Sequence, residues 1–213
     1  MQIQFSELVD STIRFLEESG SSPKDLIESL DAYIPDNCRH ASELDEFFCQ
    51  LLPHMSFFNY EILKLIILHL NGDHLGKELS AYEKQFESYC MSRISGPHPV
   101  VFSNEAQSNT QKLLVKLDAE WDGMTIGDIK RFQCKLASIL QIRQEKLLIQ
   151  KAQKGCVLLT FLIHKLFLQT IVDNGLTDRQ VSALYDNHII SIATESMKLF
   201  ENMEMVCGID SCC

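Results

Sequence analysis

Long apolar runs are missing from this sequence. The two longest, residues 62–70 and 156–163, reach about half of the ~18 residues a membrane helix needs, so no membrane span is expected. The opening "MQIQFSELVD" has no basic stretch ahead of an apolar core, which argues against a secretory signal. Neither GxGxxG nor GxxxxGK[ST] occurs, and without a phosphate cradle GTPase or kinase chemistry is not expected. There is no HExxH, no CxxC and no Cys/His spacing of a zinc site. Positive charge is also scarce: 19 Lys and Arg stand against 29 Asp and Glu, a net of −10. Neutralising phosphates takes clustered cations, so nucleic acid is not an expected partner. No cofactor is expected either.

What remains is an ordinary globular composition, 46% apolar and 23% charged, over 213 residues, enough for a sizeable core. The eight cysteines are Cys38, Cys49, Cys90, Cys134, Cys156, Cys207, Cys212 and Cys213. With no signal peptide read, free thiols in a reducing, cytoplasmic setting are expected. Charge is uneven: residues 1–94 hold 16 acidic and 7 basic side chains, whereas residues 112–165 hold 5 acidic and 10 basic.

The front half reads as about five helices. Phe5, Leu8, Val9, Thr12, Ile13 and Leu16 recur at helical spacing until Gly20. Ser22, Pro23 and Asp25 form a helix start, and Pro35 ends that helix. "ASELDEFFCQLLPH" carries a third stripe. "SFFNYEILKLIILHL" is apolar on most sides and is expected at the buried centre of a bundle. After Asn71-Gly72, residues 75–94 carry Leu75, Leu79, Tyr82, Phe86, Tyr89 and Cys90 on one face. Residues 95–111, with Gly, two Pro and a polar run, read as a linker.

Beyond the linker the period changes. "KLLVKLD" alternates as a strand does. Thr125 and Asp128 frame a capping box before the stripe Ile126, Ile129, Phe132, Leu136, Ile139 and Leu140. "EKLLIQKAQKG" and "CVLLTFLI" are two more strands about a turn at Lys154-Gly155. Helices follow, one of them over residues 178–203 with Thr177 as N-cap. The order strand–helix–strand–strand is that of a split β-α-β-β unit, whose third strand lies between the other two. That strand is the most apolar, as a central strand should be. The expected fold is therefore α+β and mostly α: a helical bundle over 1–94, a linker over 95–111, a three-stranded unit with C-terminal helices over 112–205, and a flexible Cys-containing tail over 206–213.

The chemistry-bearing residues stay dispersed. His69 and His74 are five apart and share no helix face. Cys156 and His164 sit at opposite ends of one strand, roughly 26 Å apart, too far for a nucleophile and its base. Lys130, Arg131, Lys135, Lys151 and Lys154, with Arg143 and Lys146, make the sheet unit basic, which suits either a docking patch for an acidic partner or a solvated face. Asp122, Asp128, His98 and His164 are candidates for an atypical site in a cleft between bundle and sheet unit. The terminal Cys207, Cys212 and Cys213 form no CaaX box but are candidates for lipidation.

Taken in order, "MSFFNYEILKLIILHL", "LSAYEKQFESYC", "LLVKLDAEW", "LASILQI", "KGCVLLTFLI" and "LTDRQVSALYDN" resemble a module of uncharacterised proteins expanded in sponges, over roughly residues 40–190. There the module stands beside death-fold, ankyrin or NTPase domains in multidomain signalling proteins. The resemblance implies a two-part interaction module with protein partners and brings no catalytic residues. Two functions are thus expected: a non-catalytic scaffold or adaptor using the exposed sides of the helices at 75–94 and 178–203 and the basic face, or a small-ligand binder or atypical enzyme.

Overall fold

The computed structural model describes residues 1–94, 98–103, 109–154 and 157–202. It is α+β, with helices first and an antiparallel sheet after them. The chain divides into two compact units, Met1–Cys90 and Met91–Cys213.

The first unit is helical: α1 (Gln2–Ser19), α2 (Pro23–Leu30), α3 (Leu44–Leu51), α4 (Glu61–Leu70) and α5 (Asp73–Cys90), with 3₁₀ turns at Asp36–His40 and Leu52–His54. Local chemistry sets its boundaries. Gly20 takes the left-handed conformation that closes α1. Ser22 and Asp25 form a reciprocal capping box with Pro23 in the first turn of α2. Asn71, also left-handed at φ 55°, closes α4. The core is aromatic. Phe58 meets Phe86 at 5.6 Å, and Tyr60 meets Tyr82 at 5.0 Å and Phe86 at 5.2 Å, all near edge-to-face. The Tyr82 hydroxyl donates to the Phe57 carbonyl. Burial pushes the Tyr60, Tyr82 and Tyr89 phenols above their usual range, because a phenolate is costly in apolar surroundings.

Two expectations for this unit change. α2 stops at Leu30, well before Pro35, because the chain turns into the 3₁₀ segment there. α4, expected at the buried centre, is not enclosed on every side. Ile62, Leu63, Ile66 and Ile67 are buried, but Leu68 is 56% exposed.

The second unit is built on six strands: β1 (Val100–Val101), β2 (Thr110–Leu117), β3 (Leu147–Gln153), β4 (Leu158–His164), β5 (Ile189–Ala193) and β6 (Lys198–Glu201). Their order is β1-β3-β4-β2-β5-β6, with every neighbouring pair antiparallel. Between β2 and β3 comes α6 (Ile126–Leu140); α7 (Lys165–Asn174) and α8 (Asp178–Asp186) follow β4. β4 therefore lies between β2 and β3, which run parallel on either side of it, joined by α6. Phe161 sits opposite both Leu113 and Ile149. Leu159, Phe161 and Ile163 share one face, on which Phe132 of α6 packs against Phe161 at 6.3 Å. Buried Gln133 ties α6 to the sheet, its Nε2 donating to the Leu147 carbonyl at 2.7 Å. Residues 159–163 are buried on both faces, as a central strand requires.

The sheet is larger than three strands, for two reasons. Within the expected linker, Val100–Val101 pairs with β3, the Phe102 amide donates to the Gln150 carbonyl, and Thr110 already belongs to β2. Moreover, the expected helix over 178–203 ends at Asp186. The chain turns through Asn187 and His188, which is left-handed at φ 55°, and Ile189–Ala193 joins the free edge of β2. Its β-branched residues favour a strand once such an edge is available. Phe200 of β6 then packs on Tyr185 of α8 at 5.3 Å.

Thr160 is the one buried polar residue within β4, 1% exposed, and its hydroxyl has no hydrogen-bond partner among the described residues. Such a group costs on the order of 1–3 kcal/mol relative to a satisfied one. Thr160→Val is expected to raise stability by about 1 kcal/mol, an increase of ~2–4 °C in Tm by calorimetry. A lower Tm would show that the hydroxyl is satisfied in solution.

Candidate functional site

Among the described residues, each unit carries a surface depression of note. In the helical unit, Leu75, Leu79, Tyr82 and Phe86 of α5 point into the core, which leaves Gly76, Lys77, Ser80, Ala81 and Lys84 on its outer side. Together with Ile67, Leu68, Asn71, Gly72 and Asp73 these line a groove of about 720 Å³. Its floor is low because its side chains are small: Gly76 and Ser80 are one turn apart, and the Ser80 hydroxyl folds back onto the Gly76 carbonyl at 2.9 Å. At one end the α4–α5 turn approaches α1 so closely that a Cβ on Gly72 would lie 2.9 Å from the Phe15 ring.

The electrostatics of the groove run against those of the unit. Residues 1–90 contain 16 acidic side chains and only six Lys and Arg. Lys24, Arg39 and Lys64 hold carboxylates, the last reaching Glu83 of α5 at 2.6 Å. Lys77 and Lys84, both exposed and both lining the groove, make no ion pair among the described residues. Glu78 is held instead by His74, at 3.5 Å.

In the sheet unit, a groove of about 610 Å³ lies where β2 ends, between the start of α6 and the α8–β5 turn. Asp118, Glu120, Asp128, Arg131, Phe132, Lys135, Asp186 and His188 line it. The Asp118 amide donates to the His188 carbonyl at 2.9 Å, which fixes the turn against the strand. Asp128 is occupied structurally. It accepts from the Thr125 amide at 2.8 Å and hydroxyl at 2.7 Å, while its own amide donates to Thr125 Oγ1 at 3.1 Å. Arg131 pairs with its other oxygen. Burial pushes the Asp128 carboxyl up, but the Thr125 hydrogen bonds and the Arg131 charge outweigh it and hold the group below the usual carboxylate range. The lining contains no hydroxyl or thiol nucleophile.

The basic residues singled out in the sequence do not form one patch. Arg131 and Lys135 line the sheet-unit groove, and Lys130 is half-buried on another side of α6. Lys151 lies opposite Thr160, on the sheet face away from Phe161. Lys154 reaches Asp122 at 3.0 Å. Asp122, Asp128, His98 and His164 do not converge. Asp122 is held by Lys154 and Asp128 by its cap, while His98 is exposed. His164 caps α7, its Nδ1 accepting from the Leu166 amide at 3.3 Å, at the opposite end of β4 from Leu158, roughly 20 Å away. Gly155, Cys156, Cys207, Cys212 and Cys213 lie outside the described residues. Among the described residues no cluster of three or more His, Cys, Asp or Glu could hold a metal ion, and no helix is long and apolar enough to cross a membrane. The residues that make the α5 groove were missed individually. Their signal was the interruption of a charged helix face by Gly76, Ser80 and Ala81, with lysines seven residues apart.

Asp128→Ala is expected to cost about 1 kcal/mol at neutral pH through loss of the cap. A carboxyl whose folded value is depressed contributes fully above its unfolded value of about 3.9 and loses that contribution as pH falls through the folded value. Urea titrations of both proteins should therefore differ at pH 7 and converge in acid. A difference that persists undiminished below pH 2 would assign the loss to packing.

A scan against protein-family models, a search of curated proteins and a search of solved structures each return no match.

Proposed function

We propose that this chain is a non-catalytic protein-interaction module, a scaffold or adaptor working inside cells, and that the outer side of α5 is its docking surface. One observation carries the reading: a groove floored by small residues, with an exposed leucine at its rim and two lysines that hold no carboxylate among the described residues of a unit rich in them. Small floor residues let another helix approach closely, the exposed Leu68 offers an apolar anchor, and the two ammonium groups favour an acidic partner. The resemblance carried by "LSAYEKQFESYC" and its companion segments adds a setting of death-fold-type or innate-immune-like signalling.

A second reading has its own support. The sheet-unit groove gathers Phe132, Lys135 and several carboxylates around a volume suited to a small zwitterionic ligand. It is weaker because Asp128 and Arg131 already hold each other there.

The test is a photo-crosslinking residue placed at Ser80 of the full chain in its native cells, with a control at Lys24, which is also exposed. The expected outcome is a discrete adduct with a defined protein from Ser80 alone, lost in the Lys77→Glu/Lys84→Glu variant. Adducts of equal yield at both positions, or none at either, would overturn the reading.

A further inference from the structure

We infer that the occupant of the α5 groove is the α1 helix of a second copy of this chain, an inference that rests on the interaction reading above. α1 buries Phe5, Leu8, Val9, Thr12 and Leu16, so its opposite side faces solvent. That side carries Ile3, Asp10 and Glu17, spaced seven residues apart. Ile3 is 71% exposed, and Asp10 and Glu17 make no ion pair among the described residues. On α5 the two groove lysines, Lys77 and Lys84, are also seven apart. Seven residues are about two helical turns, ~10.5 Å, so both pairs of charges lie along their helices at one repeat.

The apolar ends choose the direction. With α1 of the copy running parallel to α5, Asp10 falls at Lys77 and Glu17 at Lys84. Ile3 then arrives at the end of the groove where Leu68 is 56% exposed. In this register Ile13 lies over Ser80, where the floor is low. Arg14 comes level with Ala81 and Asp73 with Ser6, so the minority charges of the two surfaces do not meet their like.

Symmetry supports the same direction. Within one chain α1 runs antiparallel to α5: the Phe5 ring lies 6.4 Å from Tyr82, and Phe15 faces Gly72. A two-fold axis perpendicular to the helices reverses the copy, which makes its α1 parallel to this α5. The same operation places this α1 on the copy's α5, so both contacts close in one dimer.

Sedimentation of the full chain over a concentration series tests this. A monomer–dimer equilibrium is expected that weakens as salt screens the rim charges. Lys77→Glu/Lys84→Glu and Asp10→Lys/Glu17→Lys should each raise the dissociation constant at least ~10-fold, through like-charge contact. The milder Lys77→Gln/Lys84→Gln, checked for an unchanged thermal melt, should weaken it less. Mixing the two charge-reversed proteins should restore association, because the mixed dimer pairs opposite charges at both contacts. A dimer indifferent to both reversals would overturn the assignment. A chain that stays monomeric while Ser80 still crosslinks to a different protein would overturn the second copy and leave the interaction reading standing. A monomer with no crosslink would remove both.

Discussion

Apolar burial of one strand on both faces governs the sheet unit. Leu159, Phe161, Leu162 and Ile163 are each 3% exposed or less, and the strand that carries them must have neighbours on either side and cover above and below. Antiparallel pairing to β2 and β3 supplies the neighbours. The crossover through α6 then follows, because two parallel strands flanking a third need a long connection. α6 is long enough to return across the sheet and carries Phe132 for one face. The β2 edge left over accepts β5, and β5 accepts β6. Each later step depends on the first.

The helical unit follows a different rule. Its centre is a set of rings from the segment before α4 and from α5, and their edge-to-face contacts fix the angle between those elements. With its aromatic side committed inward, α5 keeps small and charged residues outward. The groove is thus a by-product of how the core is packed, and its charge contrasts with an acidic surround because three of the other cations, Lys24, Arg39 and Lys64, are already engaged.

Much of this was legible in the residues, and the omissions have physical reasons. Ser22–Asp25, Thr125–Asp128 and Thr177 marked three helix starts, and each is a cap in the structure, because capping is local chemistry over three or four residues. The central place of β4 could be read from its composition. β5 and β6 could not. "HIISIATESMKLF" fits a helical stripe as readily as alternation, and only the exposed edge of β2, more than seventy residues earlier in the chain, decides the matter. Likewise Val100–Val101 is too short to announce itself and pairs only because β3 is there. The candidate site was legible as a helix and not as a groove. That Gly76, Ser80 and Lys84 form one depression with Leu68 depends on where α4 ends, and that is set by the left-handed Asn71. The basic residues of the sheet unit looked like one group in the sequence, but a register shift between Ile149 and Lys151 places Lys151 opposite Thr160, on the other face.

The last strand has a consequence for how copies of this chain can associate. β6 is four residues long, carries Lys198 and Glu201 at its two ends, and holds them to each other across 2.6 Å. A short rim guarded by charge is a poor template for adding a further ribbon from a neighbouring molecule, since the newcomer would have to displace that pair for very few backbone bonds. Growth into fibres by lateral stacking of sheets is therefore disfavoured along this border, and the helical surfaces are left as the more favourable route to assembly.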